Sequence, residues 1–381
     1  MRKDTIYLDY AANTPVDPTV LEVFNQTTLQ DFANPNATHP LGKKVHQKME
    51  QATHHIETLF QTYTKLDPDM EIVYTSGSSE SNNLAIKGLA KAYKEYGKHI
   101  ISTYLEHSSV SAPLTALQED GYEIDLVPIT REGKIDLEQL KSLLRKDTIL
   151  VSVCYVDSEV GNVQPIPEIV EILKEYPNCF LHVDATQAIG KIPVNLQGVD
   201  LITFAPHKFY GLNGMGGLWK KRDLVLEPLI SGGASNTIYR SGTPVVAQIC
   251  ALEKALSLAM TQLEDRRQKV TEMNLYLREK LVSYADVKIN TNMENPYILN
   301  ISVMGVKAVD FKKKLEEYGV CISIKSACQV MLTPSRIVMA MTHDRKRAFA
   351  AWRISLSHLV KKEELEQFLE IFDQCYRYFK E

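Results

Sequence analysis

The chain has 381 residues, of which 44% are hydrophobic and 24% are charged, a composition typical of folded globular proteins. This length exceeds what one hydrophobic core usually supports, so we expect two domains. The formal net charge of -4 gives no reason to expect a nucleic acid or an anionic membrane as the main partner. No stretch approaches eighteen apolar residues, the N-terminus lacks the apolar segment of a secretory signal, and the six cysteines lack metal-site spacing. A reduced, cytoplasmic protein without a metal site is the simplest interpretation.

Between about residues 70 and 220, short apolar strands alternate with helical segments. The predicted strands are 71–75, 99–103, 123–127, 148–153, 180–183, 201–204 and 217–219, with helical segments such as 79–96 and 167–174 between most of them. This alternation predicts a mostly parallel sheet that is covered on both faces. Ligands of such sheets bind beyond the carboxyl ends of the strands.

The pattern changes after residue 244. A long helical run over 246–283 is followed by a strand at 298–303 and two more helices, which predicts a second, α+β domain. We expect residues 16–249 to form the large domain. Residues 1–15 and 250–381 are expected to form the small one.

Two of the predicted strands end in residues of opposite charge. Asp184 ends the strand at 180–183, and Lys208 follows the strand at 201–204 within a His-Lys pair. A pyridoxal 5'-phosphate (PLP) site needs both, because the lysine holds the cofactor as a Schiff base and the acid keeps the pyridine nitrogen protonated. The alternative for Lys208 alone is a solvated lysine at the rim of the sheet.

Two segments are rich in groups that bind phosphate. Residues 75–83, Thr-Ser-Gly-Ser-Ser-Glu-Ser-Asn-Asn, follow a strand and open a helix, whose free N–H groups and dipole attract anions. The alternative is an ordinary helix start with Ser79 as its N-cap. Residues 240–243, Arg-Ser-Gly-Thr, supply similar donors, although a plain turn fits them equally well.

Three further side chains could carry chemistry. His107 ends another strand and could stack on an aromatic cofactor and move protons, or it could be a hydrogen-bonded histidine at a sheet edge. Cys328, close to Lys325, could be a thiolate nucleophile or a buried small hydrophobic residue. Arg353 lies inside an apolar strand and needs an anion, either a ligand carboxylate or an Asp or Glu of the chain itself.

Taken in order, these motifs resemble the NifS/IscS-like cysteine desulfurases, class V members of the fold-type-I PLP enzymes. The shared runs span nearly the whole chain and are residues 7–12, 76–88, 106–107, 182–187, 207–211, 240–243, 326–328 and Arg353. The resemblance implies an α/β fold-type-I PLP-transferase with a mostly parallel seven-stranded sheet in the large domain and a smaller α+β domain.

The resemblance also implies how PLP would be held. Lys208 would hold the cofactor and move the Cα proton of the substrate, Asp184 would pair with the pyridine nitrogen, and His107 would stack on the ring. The other contacts would come from Gln187 at the ring hydroxyl, from Ser158 near the cofactor, and from Ser78, Ser79, His207 and Thr243 at the phosphate. Thr243 would reach over from the second subunit of a homodimer.

The implied reaction converts L-cysteine to L-alanine. Arg353 would bind the substrate carboxylate, Asn34 would contact the substrate, and Cys328 would take up its sulfur as a persulfide. The sulfur would then pass to an acceptor protein such as an iron–sulfur scaffold or a tRNA-thiolating enzyme. The alternatives are another class V aminotransferase or lyase reaction and a degenerate, partner-binding paralogue with weak turnover.

The chain departs from the family pattern in four places. Ala205 replaces the usual serine and removes one hydroxyl near the phosphate. Ser158 replaces the second asparagine of the usual Asn-Asn-Glu-Ile-Gly run, which motivates the alternative reactions on another amino acid. Residues 234–238 and 329–332 also differ, and the apolar Val-Met-Leu run at 330–332 motivates the partner-binding alternative.

Overall fold

The computed structural model describes residues 5–233, 237–325 and 333–380. Its strands are β1 (Ile6–Tyr7), β2 (Met70–Thr75), β3 (His99–Thr103), β4 (Glu123–Val127), β5 (Thr148–Cys154), β6 (Phe180–Asp184), β7 (Leu201–Phe204), β8 (Gly216–Lys221), β9 (Val287–Ile289), β10 (Ile298–Val303), β11 (Val320–Cys321) and β12 (Ala351–Ser355). Its α-helices are α1 (Pro18–Gln30), α2 (Pro40–Thr64), α3 (Ser78–Asn83), α4 (Leu89–Ala92), α5 (Ser108–Glu119), α6 (Leu137–Leu143), α7 (Ile166–Leu173), α8 (Val246–Thr261), α9 (Leu263–Leu281), α10 (Ala308–Glu317), α11 (Arg336–Thr342), α12 (Arg345–Phe349) and α13 (Lys362–Lys380). A π-helical turn, Leu84–Gly88, joins α3 to α4 in one continuous helix.

A seven-stranded sheet with the strand order β2-β8-β7-β6-β5-β3-β4 forms the centre of the fold. The strands from β7 to β4 run parallel, whereas β8 is antiparallel to both of its neighbours. Successive residues of β7 enter different hydrophobic clusters, Leu201 one with α5 and Ile202 one with α2. Side chains of a strand alternate between its faces, so both faces of the sheet are covered. The predicted α/β fold with a mostly parallel seven-stranded sheet is confirmed.

A separate hydrophobic cluster joins the two ends of the chain. Ile6 and Leu8 pack with Phe311, Trp352 and Phe372, while β1 pairs in parallel with β11. The strands β12, β10 and β9 form an antiparallel sheet in the same region. Helix α8 crosses residue 249, and its buried side chains belong to the cluster under the central sheet. The division into residues 16–249 and 1–15 with 250–381 stays a prediction.

The register of the central strands determines where each strand ends relative to its neighbours. Cys154 of β5 lies opposite Asp184 of β6, which lies opposite Thr203 of β7. Because the three strands are parallel, the residues that follow them emerge at one edge. A 3₁₀ turn, Pro206–Lys208, places Lys208 at this same edge. In the described part of the chain, no helix has the length and apolarity needed to cross a bilayer.

The start of β8 allows little room for a side chain. A Cβ atom on Gly216 would lie 2.5 Å from the carbonyl carbon of Gly77, in the turn before α3. Gly216→Ala is therefore expected to push β8 away from this turn and to lower the free energy of unfolding by about 1–3 kcal/mol, as overpacking does. Chemical denaturation measures the change. Gly233→Ala is the control, since no atom of the described residues other than its chain neighbours lies within 4 Å of its Cβ position; equal stability of the two variants would contradict the steric argument.

Candidate active site

A cavity of about 430 Å³ lies at the carboxyl edge of the parallel strands. Its walls include nine side chains for which the sequence predicts a role: Ser78, Ser79, His107, Ser158, Asp184, Gln187, His207, Lys208 and Arg353. These residues are up to 275 positions apart in sequence (353 − 78), so the fold and not the local sequence brings them together. Their individual roles stay predictions.

The Asp184 carboxylate is fixed by two donors. The side-chain amide of Asn82 donates to Oδ2 at 2.8 Å, and the backbone N–H of Thr186 donates to Oδ1 at 3.0 Å. Asp184 is buried, and each of its two carboxylate oxygens has a fixed donor. The arrangement fixes the carboxylate in the wall of the cavity.

His107 belongs to the same hydrogen-bond network. Its Nδ1 accepts from the backbone N–H of Ser109 at 3.1 Å, so the proton of the neutral ring is on Nε2. Asn82 donates to the Ser109 hydroxyl at 2.8 Å, and this hydroxyl lies 2.9 Å from His107 Nδ1. Burial lowers the pKa of His107, with Asp184 opposing and Lys208 reinforcing the shift. The network therefore orients both His107 and Asp184 toward one cavity.

Lys208 and His207 face the cavity from the turn after β7. The Lys208 ammonium donates to the carbonyl oxygens of Ala11 and Ala12 at 2.9 and 2.6 Å. Burial, together with the charges of Lys208 and Lys191, lowers the pKa of His207 to about 4. His207 is thus a neutral donor or acceptor near neutral pH.

Arg353 is almost fully buried on β12, at 2% exposure. Its Nη2 donates to Asp9 Oδ1 at 2.7 Å, and Nη1 donates to the Ser158 carbonyl oxygen. The Asp9 carboxylate is also bound by the Ser323 hydroxyl at 2.8 Å. Nε has no hydrogen-bond partner within the described residues. The alternative in which an acid of the chain binds Arg353 is seen in its pairing with Asp9. The binding of a ligand carboxylate, for which Nε is the donor without a partner in the described chain, stays a prediction.

Of the predicted residues that the structure describes, Thr243 and Asn34 do not line this cavity. Thr243 is exposed and lines a smaller cavity of about 210 Å³, which shares Ser76 and Gly214 with the larger one. Asn34 is exposed in a turn, where its side chain accepts from the backbone N–H of Asn36. Cys328 lies outside the described residues.

A second cavity of about 440 Å³ adjoins the first and shares Leu105 and Ser158 with it. Lys325 and Thr333, which flank the undescribed segment with Cys328, are in its wall. The Lys325 ammonium donates to the Thr333 hydroxyl at 2.8 Å and to the Pro334 carbonyl at 3.2 Å. The two ends of the segment are therefore held together beside the candidate site.

Sequence reasoning missed several residues of the site. Asn82 and Ser109 connect Asp184 to His107, Asp9 pairs with Arg353, and Glu106, which precedes His107 in the chain, is buried. A signal existed for Asn82, which lies in the same polar run as the predicted phosphate donors. Asp9 is 344 residues from Arg353, so spacing alone could not pair them.

Comparisons with known proteins agree with this geometry. Residues 6–368 match the family described as aminotransferase class-V. The chain is 37% identical over 378 residues to a protein named cysteine desulfurase IscS from Dictyoglomus turgidum, covering 98% of this chain and 94% of that one. A solved NifS-like protein has a TM-score of 0.90 at 30% identity, over 98% of this chain and 100% of that chain. A structure described as SspA in complex with cysteine has a TM-score of 0.79 at 30% identity, over 92% and 99% of the two chains.

A parallel sheet with a lysine, an aspartate and a histidine gathered at its carboxyl edge defines a class of α/β enzymes, and the chain belongs to the class-V aminotransferase family. Within that family, the IscS and NifS relatives confirm its resemblance to the cysteine desulfurases.

Glu106 makes the stability of the protein depend on pH. Its Oε1 accepts from the Thr103 hydroxyl at 2.7 Å and from the Cys154 N–H at 2.9 Å, and burial raises its pKa to about 8. Folded Glu106 keeps its proton while the unfolded side chain ionises above its ordinary pKa of about 4.3. The contribution of Glu106 to stability is therefore complete below that value and is lost as the pH rises toward 8.

We expect Glu106→Gln to gain stability relative to the wild type by on the order of 1 kcal/mol per pH unit between pH 5 and 8. Urea denaturation at several pH values measures this difference. Glu119→Gln, at an exposed position of α5, is the control and should show no such slope. A difference between Glu106→Gln and the wild type that stays constant with pH would contradict the argument.

Proposed function

We propose that this protein is a PLP-dependent cysteine desulfurase that converts L-cysteine to L-alanine and receives the sulfur on Cys328 as a persulfide for an acceptor protein. The observation that carries the proposal is a single cavity lined by Lys208, Asp184, His107 and Arg353. The relative named cysteine desulfurase and the neighbour in complex with cysteine support this choice of reaction and substrate.

The polar groups in the cavity wall fit PLP. The Thr186 hydroxyl in its wall is buried and has no partner among the described residues, which leaves a polar group for a ligand to satisfy. Open space surrounds the Cβ position of Gly77, so a phosphate has access to the N–H groups at the start of α3. Asp184 offers a carboxylate to a pyridine nitrogen. When bound, PLP supplies an electron sink for negative charge at the substrate Cα.

Lys208 would move a proton of the substrate, and His107 would contact the cofactor ring. Lys208 lies on the turn that closes one wall, where its Nζ could remove and return the Cα proton once it leaves the carbonyls of Ala11 and Ala12. His107 is held by Nδ1, so its ring plane is fixed and Nε2–H is its donor. A fixed, neutral imidazole is suited to stacking on the cofactor ring.

Arg353 would bind the substrate carboxylate. Asp9 and the Ser158 carbonyl hold Nη2 and Nη1, which leaves Nε without a partner in the described chain. A carboxylate that approaches Nε would satisfy this buried donor and gain a charge-assisted hydrogen bond. Substrate binding would thus remove an uncompensated polar atom from the protein interior.

Cys328 would attack the sulfur of the substrate. An S–S bond forms between the two sulfur atoms as the C–S bond of the substrate breaks, and the electron pair of that bond stays on the substrate carbon. That carbon takes up a proton and becomes the methyl group of alanine, so L-cysteine and a thiol give L-alanine and a persulfide without an external oxidant. The position of Lys325 and Thr333 in the adjoining cavity supports this role, because they place both ends of the segment next to the site.

The homodimer is also part of the proposal. Thr243 is exposed, and the apolar side chains of Ile238 and Val245 near it are 68% and 54% exposed. Exposed apolar groups of this kind occur where proteins associate. A second subunit on this surface would bring its own Thr243 toward the phosphate, and the persulfide would pass to an acceptor protein such as an iron–sulfur scaffold or a tRNA-thiolating enzyme.

The role of Lys208 is tested by its replacement with alanine. The wild type incubated with PLP should show the absorption near ~420 nm that lysine-bound PLP gives, and Lys208→Ala should lose both this absorption and the consumption of L-cysteine. Lys94→Ala, at an exposed lysine, is the control. A wild type that takes up no PLP would favour the degenerate, partner-binding alternative.

The role of Cys328 is tested by Cys328→Ala. This variant should keep the absorption of bound PLP but form no alkylatable persulfide, and its alanine formation should fall at least about 100-fold because the nucleophile is gone. Cys321→Ala, a partly exposed cysteine on β11, is the control. Wild-type rates in Cys328→Ala would sink the assigned role, and turnover of a different amino acid would favour another class V reaction.

A further inference from the structure

Lys191 is a buried lysine beside the candidate site that the proposed mechanism does not use. It lies in the turn after β6 with 5% of its surface exposed, and its Nζ donates to Gln187 Oε1 at 2.8 Å. Burial and the nearby charges of Lys208 and Arg353 hold its pKa well below the ordinary value. A lysine among cations in the interior is costly, so its position calls for a compensating contact.

The compensating contact is the amide of Gln187. Gln187 Nε2 donates to the Ala11 carbonyl oxygen at 2.8 Å, and a backbone carbonyl can only accept. Oε1 therefore faces Lys191, whose amine donates in either charge state. The two partners therefore fix the orientation of the Gln187 amide. Nε2 has two N–H groups, of which one binds Ala11 and the other remains at the cavity wall.

The same carbonyl connects this pair to Lys208. The oxygen of Ala11 accepts from both Gln187 Nε2 and Lys208 Nζ, at 2.8 and 2.9 Å. Lys191, Gln187 and Lys208 thus form one continuous set of hydrogen bonds along the wall of the cavity. Replacement of Lys191 would therefore alter the hydrogen bonds of the Gln187 amide and, through the shared Ala11 carbonyl, those of Lys208.

We propose that Lys191 is a positioning residue that holds the Gln187 amide with an N–H toward the cavity, where it donates to the ring-hydroxyl oxygen of bound PLP. The inference rests on the proposed binding of PLP. An N–H donor at this oxygen stabilises its anionic form and lowers the pH at which the bound cofactor changes its visible absorption. Without Lys191, the buried Oε1 loses its donor, and the Ala11 carbonyl alone holds the amide, so its N–H is directed less firmly toward the cavity.

The experiment is a pH titration of the visible absorption of the PLP-loaded protein. Lys191→Met should raise the midpoint by about one unit or more, while Lys191→Arg, which keeps the donor, should stay near the wild type. In a Gln187→Leu background, Lys191→Met should shift the midpoint little further, because the amide through which it acts is already gone. PLP should also be lost faster on dilution from Lys191→Met than from the wild type, and at about the wild-type rate from Lys191→Arg.

Lys220→Met is the matched control, because Lys220 is a fully buried lysine that pairs with Glu71 outside the cavity. It should destabilise the protein without moving the midpoint. If Lys191→Met does not fold, Lys191→Gln replaces it, because its shorter side chain cannot reach Oε1. An unchanged midpoint in Lys191→Met, or additive shifts in the double variant, would overturn the inference alone; a wild type that binds no PLP would overturn the proposed function with it.

Discussion

The parallel register of β5, β6 and β7 is the constraint on which the candidate site depends. It places Cys154, Asp184 and Thr203 side by side, and the backbone of Asp184 is fixed further when its carbonyl accepts from the N–H of Tyr155 at 2.9 Å. A shift by one residue would turn Asp184 to the other face of the sheet and away from Lys208. The conformations of the loops that follow the strands could not bring Asp184 and Lys208 together again. The chemistry at the edge therefore depends on strands that are buried on both faces.

Charge determines what such a cavity can hold. Lys208 and Arg353 line it, whereas Asp184 is a carboxylate in its wall and Asp9 binds Arg353. Cations in a poorly solvated space favour anionic ligands, because an anion restores part of the solvation that burial removes. The anionic phosphate of PLP and the carboxylate of L-cysteine, as proposed above, would meet this requirement. An apolar or cationic ligand would not.

The sequence predicts the central fold well because its signals are local. Each strand of the central sheet lies within one or two residues of its predicted bounds, since alternation of apolar strands with helices is visible in short windows. The long helical run after residue 244 is in fact two helices, α8 and α9, that meet at Gln262. Contacts between distant residues were not visible. The pairing of Asp9 with Arg353 and the bridge of Asn82 between Asp184 and Ser109 arise only when the sheet brings separate strand ends together.

Ala205 has no hydroxyl to offer a phosphate, but the N-terminus of the helix that begins at Ser78 can attract an anion in its place. Ala205 is fully buried, and its carbonyl accepts from the Lys208 N–H, so it contributes to the lysine turn through its backbone. Since His207 is neutral near pH 7, the positive potential for the proposed phosphate would come from the helix N-terminus. Glu80 in the first turn would oppose this potential, but Arg240 Nε binds its carboxylate at 3.0 Å and the Ser76 N–H binds it at 2.7 Å. Arg240 therefore neutralises an acid of its own subunit at the start of this helix, which preserves the attraction of the helix dipole for an anion.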